Sequence, residues 1–325
     1  MNSGLFLTDY LTASLRLAVP LAFAALGGLW SERSGVLNIG LEGMLLTGAF
    51  CSAAVTFYSG SNGLGVLAAL VVGGLVGLLH AILCVTLRVD QLVSGLAINL
   101  VASGLTSFLS RLVFRENSQQ FQGFPAFGLP GLDQIPILGP VLFHQDLLVY
   151  LLFLLVPLST YILFRTGPGL ALRAVGEYPL AADTVGLSIA QIRYVSVILS
   201  GAFSGLGGAY LVLVHVRFFT EDMSAGKGFI ALAALIFGHW HPVWTALACL
   251  LFGATEALQL RIQAFGLNIP YQLLVMLPYG IALLALIGLA GQAIPPTALG
   301  IPYQRESRDR ESVSFSPSRG GPSET

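Results

Sequence analysis

The sequence predicts an all-α, polytopic membrane helical bundle with about nine transmembrane segments, between eight and ten. Three observations lead there. Of the 325 residues, 55% are hydrophobic and only 10% are charged, whereas soluble domains carry about 25% charged residues. The mean hydropathy is +0.81. Apolar stretches of about 20 residues, the length that crosses a bilayer core, recur along the chain. Residues 1–291 read as one transmembrane domain and residues 292–325 as a disordered cytoplasmic tail.

The first stretch runs from Leu11 to Trp30. No basic region precedes it and Arg16 interrupts it, so it is not expected to be a cleaved signal peptide. Three more follow at Ile39 to Tyr58, Leu64 to Leu87 and Leu92 to Val113. Then comes a Pro- and Gly-containing connection, Phe114 to Asp146. The fifth stretch, Leu147 to Phe164, leads into Arg165 to Ala190, a connection rich in Gly, Ala and charge, and the sixth is Gln191 to His215. The seventh, Gly226 to Trp240, is short and flows through His239, Trp240 and His241 into the eighth, Pro242 to Ala264, so a half-helix or re-entrant element is an open alternative there. Tyr271 to Leu289 is the ninth. From Gln304 onward, QRESRDRESVSFSPSRGGPSET is Ser-rich and poor in apolar residues, which cannot offset the entropy of ordering.

Charge sets the expected orientation. With the 165–190 connection and the tail inside, Arg33, Arg88, Arg165, Arg173, Arg193, Arg305, Arg308, Arg310 and Arg319 fall on the inner side. Arg111, Arg115, Arg217, Lys227 and Arg261 fall on the outer side. The positive-inside rule then places the amino terminus outside and the carboxyl terminus in the cytoplasm.

The same composition excludes function classes. A net charge of −1 with Lys227 as the single lysine supplies no field for nucleic acid. Lys227 lies in an AGKG sequence, with neither the spacing nor the following Ser or Thr of a phosphate-binding P-loop, so this chain is not expected to hydrolyse ATP. Cys51, Cys84 and Cys249 lie in apolar stretches without metal-ligand spacing. His239 and His241, two residues apart, point to different sides of a helix. No metal site and no catalytic residue is expected.

Polar side chains in membrane helices mark faces turned away from lipid. Asn99, Ser103, Thr106 and Ser110 share one face of the fourth stretch, and together with Glu256 in the eighth they are the candidate translocation path. Ser196, Ser200, Ser204 and Gly208 repeat every four residues, which lets another backbone approach closely and reads as a helix-packing seam. Packing alone accounts for small Ser and Thr. Asn99 and Glu256 are costlier to bury, so packing and path readings stand equally open for them.

Four stretches carry a resemblance to a known family. GLALRAVGEYPLAADTVGLS, Gly169 to Ser188, resembles the cytoplasmic coupling loop of ABC importer permeases of the simple-sugar and nucleoside branch, relatives of the ribose and branched-chain amino acid permeases. SGVLNIGLEG, Ser34 to Gly43, is similar to the segment opening that branch's second span, and its GLEG form is most similar to the nucleoside group. GLAIN (Gly95 to Asn99) with Gly104 to Thr106 resembles its fourth span, and GKGFIALAA (Gly226 to Ala234) with Phe237 and Gly238 its later broken element.

The loop's physics is legible on its own. Pro179 suits the first turn of a helix, where its missing N–H is no loss, and Gly186 can take the left-handed conformation that ends one. A helix of about two turns therefore stands between glycine hinges at Gly176 and Gly186, with Ala181 and Ala182 as a small face for a groove on another protein. The resemblance implies that Gly176, Glu177, Pro179, Ala181, Ala182, Asp183 and Gly186 couple to an ATPase. It further implies a cytoplasmic ABC ATPase subunit, a second permease, like or unlike, an extracytoplasmic substrate-binding protein, and a nucleoside or simple sugar as substrate. No cofactor is expected on this chain, since ATP is used by the partner. An ion-coupled secondary transporter or a channel for a small polar solute is the rival, and it would draw on the intramembrane carboxylates Glu256 and Glu42.

Overall fold

The structure, a computed structural model, describes residues 3–114, 120–128, 130–264, 271–277, 280 and 294–304. Its helices are α1 (Ser3–Arg33), α2 (Leu41–Ser59), α3 (Asn62–Ala81), α4 (Gln91–Val113), α5 (Leu147–Arg165), α6 (Gly167–Glu177), α7 (Pro179–Thr184), α8 (Ile189–Tyr210), α9 (Lys227–Phe237), α10 (Pro242–Ala264) and α11 (Tyr271–Val275). Single π-helical turns, Ile82–Thr86 and Leu211–Val216, extend α3 and α8. Among the described residues, seven helices are long and apolar enough to cross a membrane: α1, α2, α3, α4, α5, α8 and α10.

Of the nine expected stretches, seven form such helices among the described residues. The seventh apolar stretch forms only the 11-residue α9, about 16 Å long at 1.5 Å per residue, half the thickness of a bilayer core. The ninth, residues 271–289, lies mostly outside the described residues.

Helices α1 and α8 form the buried centre, with α2 and α3 packed on α8, and α10 on α1. Glycine makes this possible. A Cβ on Gly205 would stand 2.2 Å from the Ala69 carbonyl oxygen of α3, and one on Gly48 of α2 would stand 2.5 Å from the Cα of Gly205. In lipid, where apolar burial between helices gains little, such backbone contact supplies the packing energy.

Four helices, α3 to α6, carry their own caps. Ser61 accepts the Leu64 N–H, Asp90 that of Val93 (3.0 Å), Asp146 those of Leu148 and Val149 (3.0 and 3.2 Å), and Thr166 that of Gly169. The Thr166 cap opens α6, a helix the sequence reading missed because Gly167, Pro168 and Gly169 read as loop residues.

At one end of the bundle, residues 120–128 and 130–146 fold over the helix ends. A two-stranded antiparallel ribbon pairs β1 (Phe127–Gly128) with β2 (His144–Gln145). Arg111 makes a paired contact with Glu221, Nε to Oε1 at 2.7 Å and Nη2 to Oε2 at 3.0 Å. That hydrogen bond and the guanidinium charge hold the exposed Glu221 carboxyl below its usual value.

The opposite end carries α6, α7 and residues 294–304. Residues 294–304 are the first part of the expected tail that the structure describes. Ala298 N–H bonds the Gly176 carbonyl (2.9 Å), Gly300 N–H bonds the Gly35 carbonyl (3.2 Å), and Tyr303 donates to Asp183 Oδ2 at 3.1 Å. Residues 305–325, the rest of the expected tail, lie outside the described residues.

Candidate functional site

Two helices begin inside the bundle rather than at its ends, and neither has a capping side chain of its own. The residue before α2 is Gly40 and the residue before α9 is Gly226. A helix start leaves unpaired N–H groups that lipid cannot satisfy. Side chains from neighbouring helices do it instead. Asn99 of α4 accepts the Gly43 N–H (2.8 Å) and donates to the Ile39 carbonyl (3.0 Å). Glu42, in the first turn of α2, accepts the N–H groups of Gly226 (2.8 Å) and Gly228 (2.6 Å), closing the start of α9. A carboxylate there also answers the positive end of the α9 dipole. Gly228 has no alternative residue: a Cβ would stand 2.4 Å from the Glu42 nitrogen.

The non-helical chain that feeds α2, residues 34–40, is satisfied in the same way. Leu41 packs against Gly28, about 7.5 Å up α1 from Arg33, so this segment climbs back along α1. The Ser31 hydroxyl donates to the Val36 carbonyl (2.7 Å), Gln91 Oε1 accepts the Leu37 N–H (2.6 Å), and His80 Nε2 lies 3.1 Å from the Leu37 carbonyl. Asn38 donates to the Ser200 hydroxyl at 2.8 Å. Irregular backbone at membrane depth is tolerated where protein groups pair it or where it borders a cavity.

Around the Glu42 cap stand further charges. Lys227, the first residue of α9, is 8% exposed, and its Nζ donates to both Glu256 oxygens, at 2.8 and 3.0 Å. The Ser103 hydroxyl donates to Asp222 Oδ1 at 2.6 Å. Glu42, Asn99, Ser103, Asp222, Lys227 and Glu256 therefore form one polar centre shared by α2, α4, α9 and α10 and by the chain leading into α9. Above it lie rings: Phe114 packs edge-on to Phe50 and Phe57, with centroids 6.1 and 5.6 Å apart, and Phe219 meets both Phe50 (5.5 Å) and Phe114 (5.9 Å).

The expected stripe on α4 divides in two. Asn99 and Ser103 reach this centre. Thr106 and Ser110 bond back to their own helix, to the carbonyls of Ala102 (2.7 Å) and Ser107 (2.9 Å). Glu256 joins the centre through Lys227, which the orientation count placed on the outer side and which is buried. Sequence reading also left Glu42 and Lys227 out of the site. Their signal was available: they belong to the few charges lying within or beside apolar stretches.

Ser196, Ser200 and Ser204 are buried, at 1% exposure or less, and Gly208 lies against α2, where a Cβ would stand 2.1 Å from the Leu45 carbonyl oxygen. The tightest contacts of α8 with α3 come from Gly201 and Gly205, one residue along. Their spacing matches that of Gly73 and Gly77 opposite, a small-residue pattern readable in the sequence.

At the α6–α7 end, Pro179 opens α7 and Gly186 takes φ +87° just after it. Gly176 makes a close contact: a Cβ there would stand 2.1 Å from the Arg33 carbonyl oxygen. Glu177 accepts from the Thr297 N–H (3.2 Å) and hydroxyl (2.9 Å). Asp183 takes the Tyr303 hydroxyl described above. Ala181 is exposed, but Ala182 faces inward, packed with Val175 and Ile189. The outward surface of the loop is not the small face expected from sequence. Beside Ala181 it is dominated by Tyr178, Leu180 and Val185, the last 76% exposed. The turn between α9 and α10 reaches the same end. There His239 and Trp240 have φ of 50° and 52°, and Glu32 and Arg33 of α1 hold the turn through Trp240 Nε1 (2.6 Å) and the Trp240 carbonyl (2.8 Å).

Comparison with known proteins bears on what this arrangement is. The chain is 41% identical over 307 residues to the guanosine ABC transporter permease protein NupQ of Bacillus subtilis (strain 168), covering 91% of this chain and 96% of that one. It is 39% identical over 298 residues to the nucleoside ABC transporter permease protein NupC of Lactococcus lactis subsp. cremoris (strain MG1363), covering 88% and 93%. To the putative glucose ABC transporter permease protein TsgC13 of Haloferax volcanii it is 37% identical over 266 residues, covering 81% and 80%. No solved structure matches the chain. The family model for the permease component of branched-chain amino acid transport systems matches residues 10–290. With most of its length matched and its helices arranged as a multi-pass membrane bundle, the chain belongs to this family of permease components.

Proposed function

We propose that this chain forms the translocation path of an ATP-driven ABC importer for nucleosides. The observation that carries the proposal is the polar centre around Glu42, built where two helices start inside a lipid-embedded bundle. A solute crossing the bundle needs polar groups that are already satisfied by one another and can exchange those bonds for bonds to a hydroxylated substrate. Asn99 and Ser103, with Glu256 behind Lys227, are the contacts, and Thr106 and Ser110 continue the same face of α4. The names of the relatives, for guanosine and nucleosides, favour a nucleoside over a simple sugar.

In this reading the α6–α7 end faces the cytoplasm and the amino terminus lies outside, in keeping with the positive-inside rule. Tyr178, Leu180 and Val185 insert into a groove of an ABC ATPase subunit, which consumes the ATP, and this chain binds no cofactor. A second permease, like or unlike, completes the pathway. An extracytoplasmic binding protein docks on residues 120–146 and the 217–226 connection and delivers substrate.

The test is reconstitution into vesicles with a candidate ABC ATPase and binding protein, followed by uptake of labelled guanosine, uridine and glucose. ATP-dependent nucleoside uptake is expected. Uptake that follows a proton or sodium gradient without ATP would overturn the proposal. In the same system, Leu180→Asp combined with Val185→Asp should abolish co-purification of the ATPase while the permease still inserts. An intact complex would remove the loop from its coupling role.

A further inference from the structure

We propose that residues 217–222 form a lid over the polar centre, latched to α4 and plugged by Phe219, which lifts to admit substrate. The inference rests on the translocation reading above and adds the element that opens the path. The stretch follows the π-helical turn Leu211–Val216 and leads toward α9, at the end of the bundle opposite α6 and α7.

Both ends of the stretch are tied. The Arg217 carbonyl accepts the Phe121 N–H at 2.7 Å. Beyond Asp222, Met223 and Ser224 are buried, the Ala225 N–H donates to the Asp222 carbonyl at 3.0 Å, and the Gly226 N–H is held by Glu42. Arg217 and Asp222 take φ of 66° and 52°, a left-handed conformation that residues other than glycine keep only where their surroundings hold it. Rotation at these two positions releases the segment between them while both ends stay attached.

Three side-chain contacts hold that segment down. The Phe219 ring sits against Phe50 of α2 and Phe114 at the end of α4, with centroids 5.5 and 5.9 Å away, and so bridges the two helices. Asp222 takes the Ser103 hydroxyl at 2.6 Å, and Arg111, about two turns further along α4, grips Glu221 through two hydrogen bonds. Ser103 is one of the proposed substrate contacts, so substrate reaches its hydroxyl only after Asp222 has left. Asn99 lies one turn deeper on the same face of α4.

The latch suits an element that opens. Arg111 and Glu221 have side-chain exposures of 71% and 43%, and an ion pair so placed is screened by water and salt and contributes little to stability. It fixes the position of the lid without making release costly. A docked protein that presents a carboxylate to Arg111, or a cation to Glu221, takes over one half of the pair and frees the outer edge of the lid.

The test ties the lid down. Arg111→Cys combined with Glu221→Cys is assembled with the ATPase and binding protein in vesicles, and the two thiols are bridged by a short bis-methanethiosulfonate that reductant cleaves. Guanosine uptake should be lost on bridging and return on reduction. Methyl methanethiosulfonate, which modifies the same thiols without joining them, should leave uptake at the unbridged level, and the unaltered chain treated alongside reads any reaction at the half-buried Cys51. Uptake that continues through the bridge, or equal loss with the monofunctional reagent, overturns the lid and leaves the transport reading intact. Absence of ATP-dependent uptake in the unaltered assembly overturns the transport reading instead, and the lid is then decided without transport. For that, acrylamide quenching of Phe219→Trp in the purified full-length chain is read against the native Trp30, Trp240 and Trp244, with and without Arg111→Ala. Quenching of the added ring should rise about twofold once the latch is gone, and unchanged quenching overturns the lid.

Discussion

Glu42 Oε2 accepts the backbone N–H of Gly228 at 2.6 Å, so the first turn of one helix supplies the cap of another 186 residues away in sequence. Helices α2 and α9 are thereby locked start to start, and any motion that separates them has to break this contact first. Glu42→Ala should cost about 1–2 kcal/mol of stability, the range for losing a helix cap together with its dipole interaction. Glu42→Gln, which keeps one acceptor oxygen, should cost less. Thermal unfolding in detergent checks both, and equal losses would show that the carboxyl acts only through packing.

The Lys227–Glu256 pair sits beside this cap, with side-chain exposures of 10% and 27%. Removing one partner leaves a charge in a largely desolvated place, at a cost of about 3 kcal/mol when such a pair is broken. Lys227→Met and Glu256→Gln should each destabilise by an amount of that order, and the double variant should lie nearer the unaltered protein than either single one. A double-mutant cycle on unfolding midpoints reads the coupling, and strict additivity would mean that the two charges do not sense each other.

The sequence made the bundle legible because hydrocarbon imposes a length and a composition on every crossing. Residues such as Leu64 and Leu67 of α3, exposed on the isolated chain, announce themselves by apolarity alone. The loop from Pro179 to Gly186 was legible for a different reason, since a proline that starts a helix and a glycine that ends it are local backbone constraints. What stayed hidden was pairing between distant segments. Nothing around Asn99 says that it caps Gly43, and nothing around Lys227 says that its partner is Glu256. Ala182 misled because a small side chain fits equally well into the groove of a partner and into the chain's own core.

The packing of α3 on α8 gives a contrast between two glycines. A methyl group at Gly205 would meet the Ala69 carbonyl oxygen at 2.2 Å, whereas one at Gly104 of α4 meets nothing within 4 Å. Gly205→Ala should therefore destabilise by about 1–3 kcal/mol, the cost of overpacking a close contact. Gly104→Ala should be neutral or stabilising by about 0.5–1 kcal/mol, since alanine loses less backbone entropy in a helix interior. Unfolding midpoints of the two variants should move in opposite directions. A shift of the same sign and size in both would mean that the approach of α3 and α8 does not set their separation.

Acid should loosen the α6–α7 end through His241, in the turn between α9 and α10. Its ring stacks on Phe164 with centroids 4.9 Å apart, and Arg33 and Arg173 lie over the same Phe164 ring at 5.6 and 5.0 Å. Burial, reinforced by the Arg33 charge, lowers its proton affinity below the ordinary histidine value of 6.5. The unfolded chain then takes up a proton in a range where the folded chain resists it. The stability contributed by neutral His241 is fully present above the unfolded value and is lost as pH falls through the folded one. Its Nδ1 has no hydrogen-bond partner, so His241→Phe keeps the stacking and removes no bond at that atom. Melting of the unaltered protein should decline more steeply than that of His241→Phe between about pH 7 and about pH 5, the gap widening toward acid. Parallel curves would mean that His241 keeps the same proton affinity folded and unfolded.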